Sequence, residues 1–240
     1  MWKWYDSKVI KIENQSPTTK RFWVEVPELE SIDFQAGQFV TMDLPISEKR
    51  RNRWRSYSIA NDPNGTNVLE FCIVYLKGGL ATEYLFNEIK VGSTIKFKGP
   101  SGGFVLKEPV ERDLVLICTG TGVAPFRSMI LDIFNNEKTH QNIHLIFGTR
   151  EEEGILYRDE FELLEEKMPN FKYSVALSRA EDWQGYKGYV HKVYEEYYKE
   201  VDPNRHFYLC GWSNMIDEAV EKLILEMGYD KSQVHYELYG

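Results

Sequence analysis

Arg55-Ser56-Tyr57-Ser58 sets a guanidinium, a phenol and two hydroxyls within four residues. An arginine can grip a phosphate bidentately, and a tyrosine can stack on a planar ring. An exposed charged loop running into a strand reads the same way. Lys77-Gly78-Gly79-Leu80-Ala81-Thr82 brings glycines to the start of a helix, where backbone N–H groups and the Thr82 hydroxyl can hold phosphate oxygens. A third stretch runs from Leu114 to Ile130, LVLICTGTGVAPFRSMI. Its apolar run suits a buried parallel strand. Thr119-Gly120-Thr121-Gly122 suits a tight turn, and Ala124-Pro125 a first helical turn, where proline's missing N–H has no intrahelical partner. Such a unit turns N–H groups and a helix dipole toward an anion. An ordinary strand-to-helix turn of an α/β domain has the same pattern. Gly99-Pro100-Ser101-Gly102-Gly103-Phe104 is by itself only a turn.

Two different grammars position these stretches. Residues 1–104 read as short strands at Ser7–Glu13, Lys20–Val26, Gln38–Leu44, Trp54–Ala60, Leu69–Tyr75 and Thr94–Lys98. Turn signals such as Ala36-Gly37 and Asp62-Pro63-Asn64-Gly65 separate them. Six strands at this spacing predict a small antiparallel β-barrel, with one helix, Ala81–Ile89, capping an end. Residues 113–240 alternate strands and helices. Strands are expected at Leu114–Cys118, Ile143–Gly148, Lys172–Leu177, His206–Gly211 and Val234–Glu237. Helices are expected near Pro125–Asn135, Tyr157–Lys167, Tyr189–Tyr198 and Asn214–Met227. That alternation predicts an α/β domain with a five-stranded parallel sheet and right-handed crossovers. Ligands of such sheets bind outside the carboxyl ends of the strands, which places the Gly120–Gly122 turn at a binding edge.

Composition removes several classes. The 240 residues carry a net charge of −8, divided as +2 over residues 1–104 and −10 over the rest. A nucleic-acid binder shows a broad basic face, and this chain has only one dense basic run, Lys49 to Arg55, which needs a local explanation. No apolar stretch approaches a membrane span, and the N-terminus lacks a signal-peptide core, so the expected compartment is the cytoplasm. Cys72, Cys118 and Cys210 are far apart inside apolar runs, against a disulfide framework, a zinc site or an iron–sulfur cluster. The five histidines show no metal-ligand spacing, and no metal is expected.

Taken in order, the pieces resemble the ferredoxin–NADP reductase superfamily of flavoproteins. They are RSYS at 55–58, GGLAT at 78–82, GPSGGF at 99–104, GTGVAP at 120–125, ILYRDEF at 155–161, CGW at 210–212 and the ending ELYG. The resemblance spans essentially the whole chain. It implies an FAD-binding barrel followed by an NAD(P)-binding domain. Arg55 would bind the flavin pyrophosphate, Tyr57 would stack on the isoalloxazine and Ser58 would hydrogen-bond near its hydride-accepting nitrogen. Gly78, Gly79 and Thr82 would complete the pyrophosphate site. Gly120, Thr121 and Gly122 would receive the pyridine nucleotide, with Cys210 and Gly211 flanking the nicotinamide. Glu237 and Tyr239 match the carboxylate and terminal aromatic beside the flavin in plant-type members, whose pattern ends on that aromatic, whereas Gly240 follows here. Ser58, Cys210 and Glu237 form the implied catalytic set. Outside that context, Cys210 reads as a buried structural cysteine and ELYG as a frayed terminus.

The same resemblance bears on the nucleotide and the partner. Ser178 and Arg179, with Lys187 and Tyr189 downstream, match residues that hold the ribose 2′-phosphate in NADP-specific relatives. No acidic residue stands at that point, which favours NADP(H) over NAD(H). Arg179 as a plain surface charge is the alternative, and the context EDWQGYKGYV also resembles NADH-using oxygenase reductases. The implied activity is hydride transfer from nicotinamide to flavin, with electrons passed to a separate carrier: ferredoxin, flavodoxin or an oxygenase component. An NADH-dependent reductase of a multicomponent system, and a flavin-binding subunit docked in a larger complex, are the rival readings.

Overall fold

The computed structural model describes residues 3–239. The chain divides into two compact units, the first comprising residues up to Leu106 together with Arg127–Asp132. In the first unit six strands, β1 (Trp4–Ser16), β2 (Thr19–Glu25), β3 (Phe39–Asp43), β4 (Trp54–Ser58), β5 (Val68–Val74) and β6 (Thr94–Ser101), form one antiparallel sheet in the order β4-β3-β6-β1-β2-β5. Alternation drives it. Val40 and Met42 of β3, and Ile95 and Phe97 of β6, point inward with Phe22, Val24, Leu69 and Phe71, and all are buried. The outer strands curl until they meet, and Ala60 N–H donates to Glu70 O at 2.8 Å while the Asn61 side chain accepts from Glu70 N–H at 2.8 Å. The sheet is thereby closed as the six-strand pattern predicts. One helix, α1 (Leu80–Asn87), turns Ala81 and Leu85 into this core.

Glu70 is 3% exposed, a costly place for a carboxylate unless it is paired. Arg21 Nε at 2.6 Å and Arg127 Nη1 at 3.1 Å pair with it, and Arg127 Nη1 also donates to Ala60 O at 2.7 Å.

The second unit is a parallel sheet in the order β10-β9-β8-β7-β11-β12. Its strands are β7 (Asp113–Thr119), β8 (Ile143–Thr149), β9 (Phe171–Leu177), β10 (Tyr186–Lys187), β11 (Arg205–Trp212) and β12 (Val234–Tyr239). The helices are α2 (Val123–Asn135), α3 (Arg158–Lys167), α4 (His191–Tyr197) and α5 (Ser213–Glu221). The expected five strands are six. The extra strand, β10, is a two-residue edge pairing Tyr186 with Ala176 and Lys187 with Leu177, too short to show any alternation in the sequence. The central strands β7 and β8 are buried almost throughout, so they read as unbroken apolar runs. Strand order reverses between β7 and β11, so the segments that follow these two strands lie at the switch point where such sheets bind ligands.

Candidate functional site

In the first unit, Arg55 and Tyr57 project from the same side of β4, two residues apart, and both are half-buried. The Arg55 Nη1 atom is steadied by backbone oxygens of Asn52 (3.1 Å) and Trp54 (2.8 Å), with no carboxylate partner among the described residues. Burial pushes the Tyr57 hydroxyl up to about 12, with the Arg55 charge acting the other way, so the phenol is neutral throughout the physiological range. Ser58 lies on the opposite side of the strand and is 5% exposed.

The turn before α1 is braced by Thr82. Its hydroxyl accepts from Leu76 N–H at 3.1 Å and reaches the carbonyl oxygens of Leu76 and Gly79 at 3.0 and 3.1 Å. That side chain holds the turn together, and the phosphate-ready donors here are the N–H groups of Leu80, Ala81 and Thr82. They precede the first intrahelical bond, from Glu83 N–H to Gly79 O at 2.9 Å. Gly78 has φ of +78°, in the region where glycine is favoured. The donor set fits a dinucleotide cofactor on two counts: a half-buried guanidinium with no carboxylate partner among the described residues, next to a half-buried ring, and a helix start with orphan N–H groups.

In the second unit the glycine turn is fitted against β11. A Cβ on Gly122 would lie 2.3 Å from Cys210 O, and one on Gly211 would lie 2.4 Å from Thr119 Oγ1. Gly211 also has φ of +138°. The two strand ends thus touch backbone to backbone, and Trp212 N–H donates to Thr119 Oγ1 at 3.3 Å. Gly120–Gly122 forms a short 3-10 turn leading straight into α2, with Pro125 in the helix's first turn.

Beside this turn, Cys210 pairs in register with Cys118 on one side and Glu237 on the other. None of the three cysteines is in a disulfide. Burial pushes the Cys210 thiol well up, and the Glu237 charge adds to that, while hydrogen bonds from the Tyr239 side chain and the Gly211 backbone act against it. The thiol is therefore a neutral group at physiological pH. Tyr239 closes β12 opposite Trp212 in the register, and Gly240 lies outside the described residues.

A cleft of about 420 Å³ opens at the carboxyl edge, lined by Arg150, Ser178, Arg179, Tyr189, Trp212, Ser213 and Asn214. Three of the four residues expected at the nucleotide phosphate are there. Lys187 is not; its ammonium donates to Glu181 O at 2.5 Å, and it stands on the outer edge strand β10. Arg150, one residue past β8, lines the cleft beside Arg179, and Arg179 N–H donates to Arg150 O at 2.8 Å. Both arginines are exposed, and neither has a carboxylate partner among the described residues. Ser213 and Asn214 open α5 and add its positive end to the cleft. Tyr189 and Trp212 are 70% and 60% exposed, flat rings standing where a nucleoside could lie.

A closed antiparallel barrel followed by a parallel sheet with a glycine turn at its switch point defines the class of two-unit dinucleotide oxidoreductases. Residues 6–106 match the oxidoreductase FAD-binding domain, and residues 116–221 match the oxidoreductase NAD-binding domain. The chain is 31% identical to ferredoxin--NADP reductase B of Sorangium cellulosum, over 98% of this chain and 97% of that protein. It is 32% identical to the phenol hydroxylase P5 protein of Acinetobacter pittii over 98% of its own length, but spans only 65% of that relative. A ferredoxin NADP+ reductase from Neisseria gonorrhoeae, solved with bound FAD and NADP, superposes with a TM-score of 0.82 at 25% identity and covers 98% of both chains. The chain belongs to the ferredoxin–NADP reductase superfamily of FAD- and NAD(P)-binding oxidoreductases.

Proposed function

We propose that the protein is an FAD-dependent NADPH oxidoreductase that takes a hydride from the nicotinamide and passes electrons singly to a separate carrier protein. Residues 1–104 serve as the FAD-binding domain and residues 113–240 as the nucleotide-binding domain. Bound flavin supplies the step from two-electron to one-electron chemistry. The chain's own residues bind and orient. Arg55 and the N–H groups at the start of α1, set by Gly78, Gly79 and the Thr82 brace, hold the pyrophosphate. Tyr57 would stack on the isoalloxazine, and Ser58, buried on the other side of β4, is assigned to the flavin by the family resemblance. Gly120, Thr121 and Gly122 admit the dinucleotide. Cys210 and Gly211 would flank the nicotinamide, with a thiol kept neutral by burial, and Glu237 stands opposite Cys210 in the register of β12.

The observation behind NADPH is the pairing of Arg150 and Arg179 in one cleft with Ser178 and Tyr189, neither arginine having a carboxylate partner among the described residues. Two guanidiniums suit a dianionic 2′-phosphate far better than a 2′-hydroxyl. A second reading, an NADH-dependent reductase of an oxygenase system, draws on the exposed Glu181 and Asp182 just after Arg179 and on the 32% identity to the phenol hydroxylase P5 protein. A ferredoxin, a flavodoxin or an oxygenase component would be the carrier in the respective cases. Three cysteines outside any disulfide suit a reducing compartment, the cytoplasm.

An anaerobic titration of the purified holoprotein tests the reading, with the visible flavin spectrum followed as NADPH or NADH is added. Bleaching at much lower NADPH than NADH supports the proposal. The reverse order moves the protein to the oxygenase-type reductases, and a flavin that neither nucleotide reduces overturns both.

A further inference from the structure

Glu83 is the acidic residue of the first turn of α1, a place where a carboxylate suits the positive end of a helix. Its Oε1 accepts from the Tyr75 hydroxyl at 2.5 Å and from Gly78 N–H at 3.2 Å, and its Oε2 accepts from Asn87 Nδ2 at 3.0 Å. Tyr75 is fixed in turn. It directly follows β5, its N–H donates to Thr18 O at 2.7 Å, and its ring lies 5.3 Å from that of Phe86, which packs on the barrel core. One carboxylate therefore ties a residue anchored at the end of β5 to the tip of the glycine loop.

The loop so tied has little stiffness of its own. Gly78 has a positive φ, and a Cβ there would meet nothing within 4 Å, so packing does not pin it. Thr82 braces Leu76 and Gly79, on either side, and leaves Gly78 itself to Glu83. Gly78 N–H, a donor the sequence offers to phosphate, is therefore spent inside the loop, while those of Leu80, Ala81 and Thr82 stay open to an anion. The Tyr75 hydroxyl first, and Gly78 N–H second, hold the Glu83 carboxyl below the usual carboxylate range. It is ionised at physiological pH, and both bonds are of the stronger, charge-assisted kind.

We propose that Glu83, backed by Tyr75, is a positioning residue for the FAD pyrophosphate: it fixes the Gly78 loop so that the three open N–H groups of α1 are set for phosphate oxygens before the cofactor arrives. The inference rests on the placement of the pyrophosphate at α1 proposed above. Donors oriented in advance remove an ordering cost that binding would otherwise carry. A carboxylate close to a pyrophosphate also repels it, so the acceptor and the charge of Glu83 act in opposite directions. Glutamine separates the two, because its amide oxygen accepts the same hydrogen bonds without the charge.

The test is FAD binding to the full-length apoprotein, followed by flavin fluorescence, with the apoprotein Tm measured alongside. Glu83→Ala should raise the Kd for FAD about tenfold and Tyr75→Phe about threefold. The double variant should bind no worse than Glu83→Ala alone, since Tyr75 acts through Glu83. Glu83→Gln should bind FAD at least as tightly as the wild type. The apoprotein Tm should stay within about 2 °C throughout. A Glu83→Ala protein with the wild-type Kd would overturn the proposal, and so would a loss in Glu83→Gln as large as in Glu83→Ala. An affinity loss that comes only with a lowered Tm would make Glu83 a structural residue and overturn it as well. Arg55→Ala separates the two levels of the argument. An unchanged Kd there would take the pyrophosphate away from this loop and sink the underlying placement, whereas a weakened Arg55→Ala beside an unchanged Glu83→Ala sinks the positioning role alone.

Discussion

Under the proposed function, Arg150 and Arg179 are the two side chains that decide which nucleotide is used. Each guanidinium lines the cleft with no carboxylate partner among the described residues, so a 2′-phosphate would gain charge-assisted hydrogen bonds from both. Bonds to a charged group are worth about 1.5–3 kcal/mol, so Arg150→Ala and Arg179→Ala should each lower kcat/KM for NADPH by roughly 10- to 100-fold. The same variants should leave NADH turnover nearly unchanged. Steady-state kinetics with both nucleotides check this, and equal losses for the two would show that the arginines grip something common to them. Trp212 belongs to the same cleft. Its indole is 60% exposed, so its fluorescence should be quenched by 2′-phospho-AMP in the wild type and lost from the signal in Trp212→Phe. Here the sequence was partly legible. Ser178, Arg179 and Tyr189 stood in a recognisable pattern and line one cleft, while Lys187, in the same pattern, stands on the edge strand β10. Arg150 was hidden since nothing in FGTR marks it as facing Arg179; only the parallel register of β8 and β9 brings them together.

At the level of elements, the glycine turn after β7 works only because β11 leaves it room. Gly122 and Gly211 are the two positions where backbone replaces side chain. Gly122→Ala would drive a methyl to within 2.3 Å of the Cys210 carbonyl, with backbone rather than a flexible side chain in the way. Overpacking of this kind costs about 1–3 kcal/mol or more, so Gly122→Ala should lower Tm by several degrees and weaken nucleotide binding together. Gly103→Ala is the control, because a Cβ there meets nothing within 4 Å, and its Tm should stay at the wild-type value. Thermal melts of both variants check the pair, and a Gly122→Ala protein as stable as Gly103→Ala would mean that the turn relaxes freely. The strand, turn and helix themselves were plain in LVLICTGTGVAP, since an apolar run, glycines and an early proline each have a local cause. The six barrel strands were equally plain from alternation. What the glycines must avoid was not, because Cys210 lies almost ninety positions away. The brace by Thr82 was missed for a related reason: a hydroxyl at a helix start looks the same whether it faces a ligand or its own turn.

Over the whole molecule, acid should find the α/β unit through a buried histidine. His144 is 4% exposed and lies between the Tyr198 hydroxyl (2.7 Å at Nδ1) and Ser174 Oγ (2.8 Å at Nε2). Burial pulls it down to about 3, with the Lys172 charge acting the same way, so in the folded protein it stays neutral far into the acid range. The unfolded chain's histidine protonates near pH 6.5. Between those values the unfolded state binds the extra proton, so stability is full above about pH 6.5 and falls as the pH drops toward 3. One such histidine removes about 2 kcal/mol between pH 7 and pH 5. His206 is pulled down as well, to about 4, chiefly by burial and then by Arg112, but it is more open to solvent, which reduces its share. The expected outcome is a loss of unfolding free energy from pH 7 to pH 5 that is smaller by about 2 kcal/mol in His144→Asn than in the wild type, because asparagine cannot titrate there. Urea unfolding at the two pH values gives the comparison directly. Equal losses in the two proteins would show that His144 reaches water and charges within the folded state, and the acid sensitivity would then have to arise from His206, His235 and His191, which are also pulled down mainly by burial.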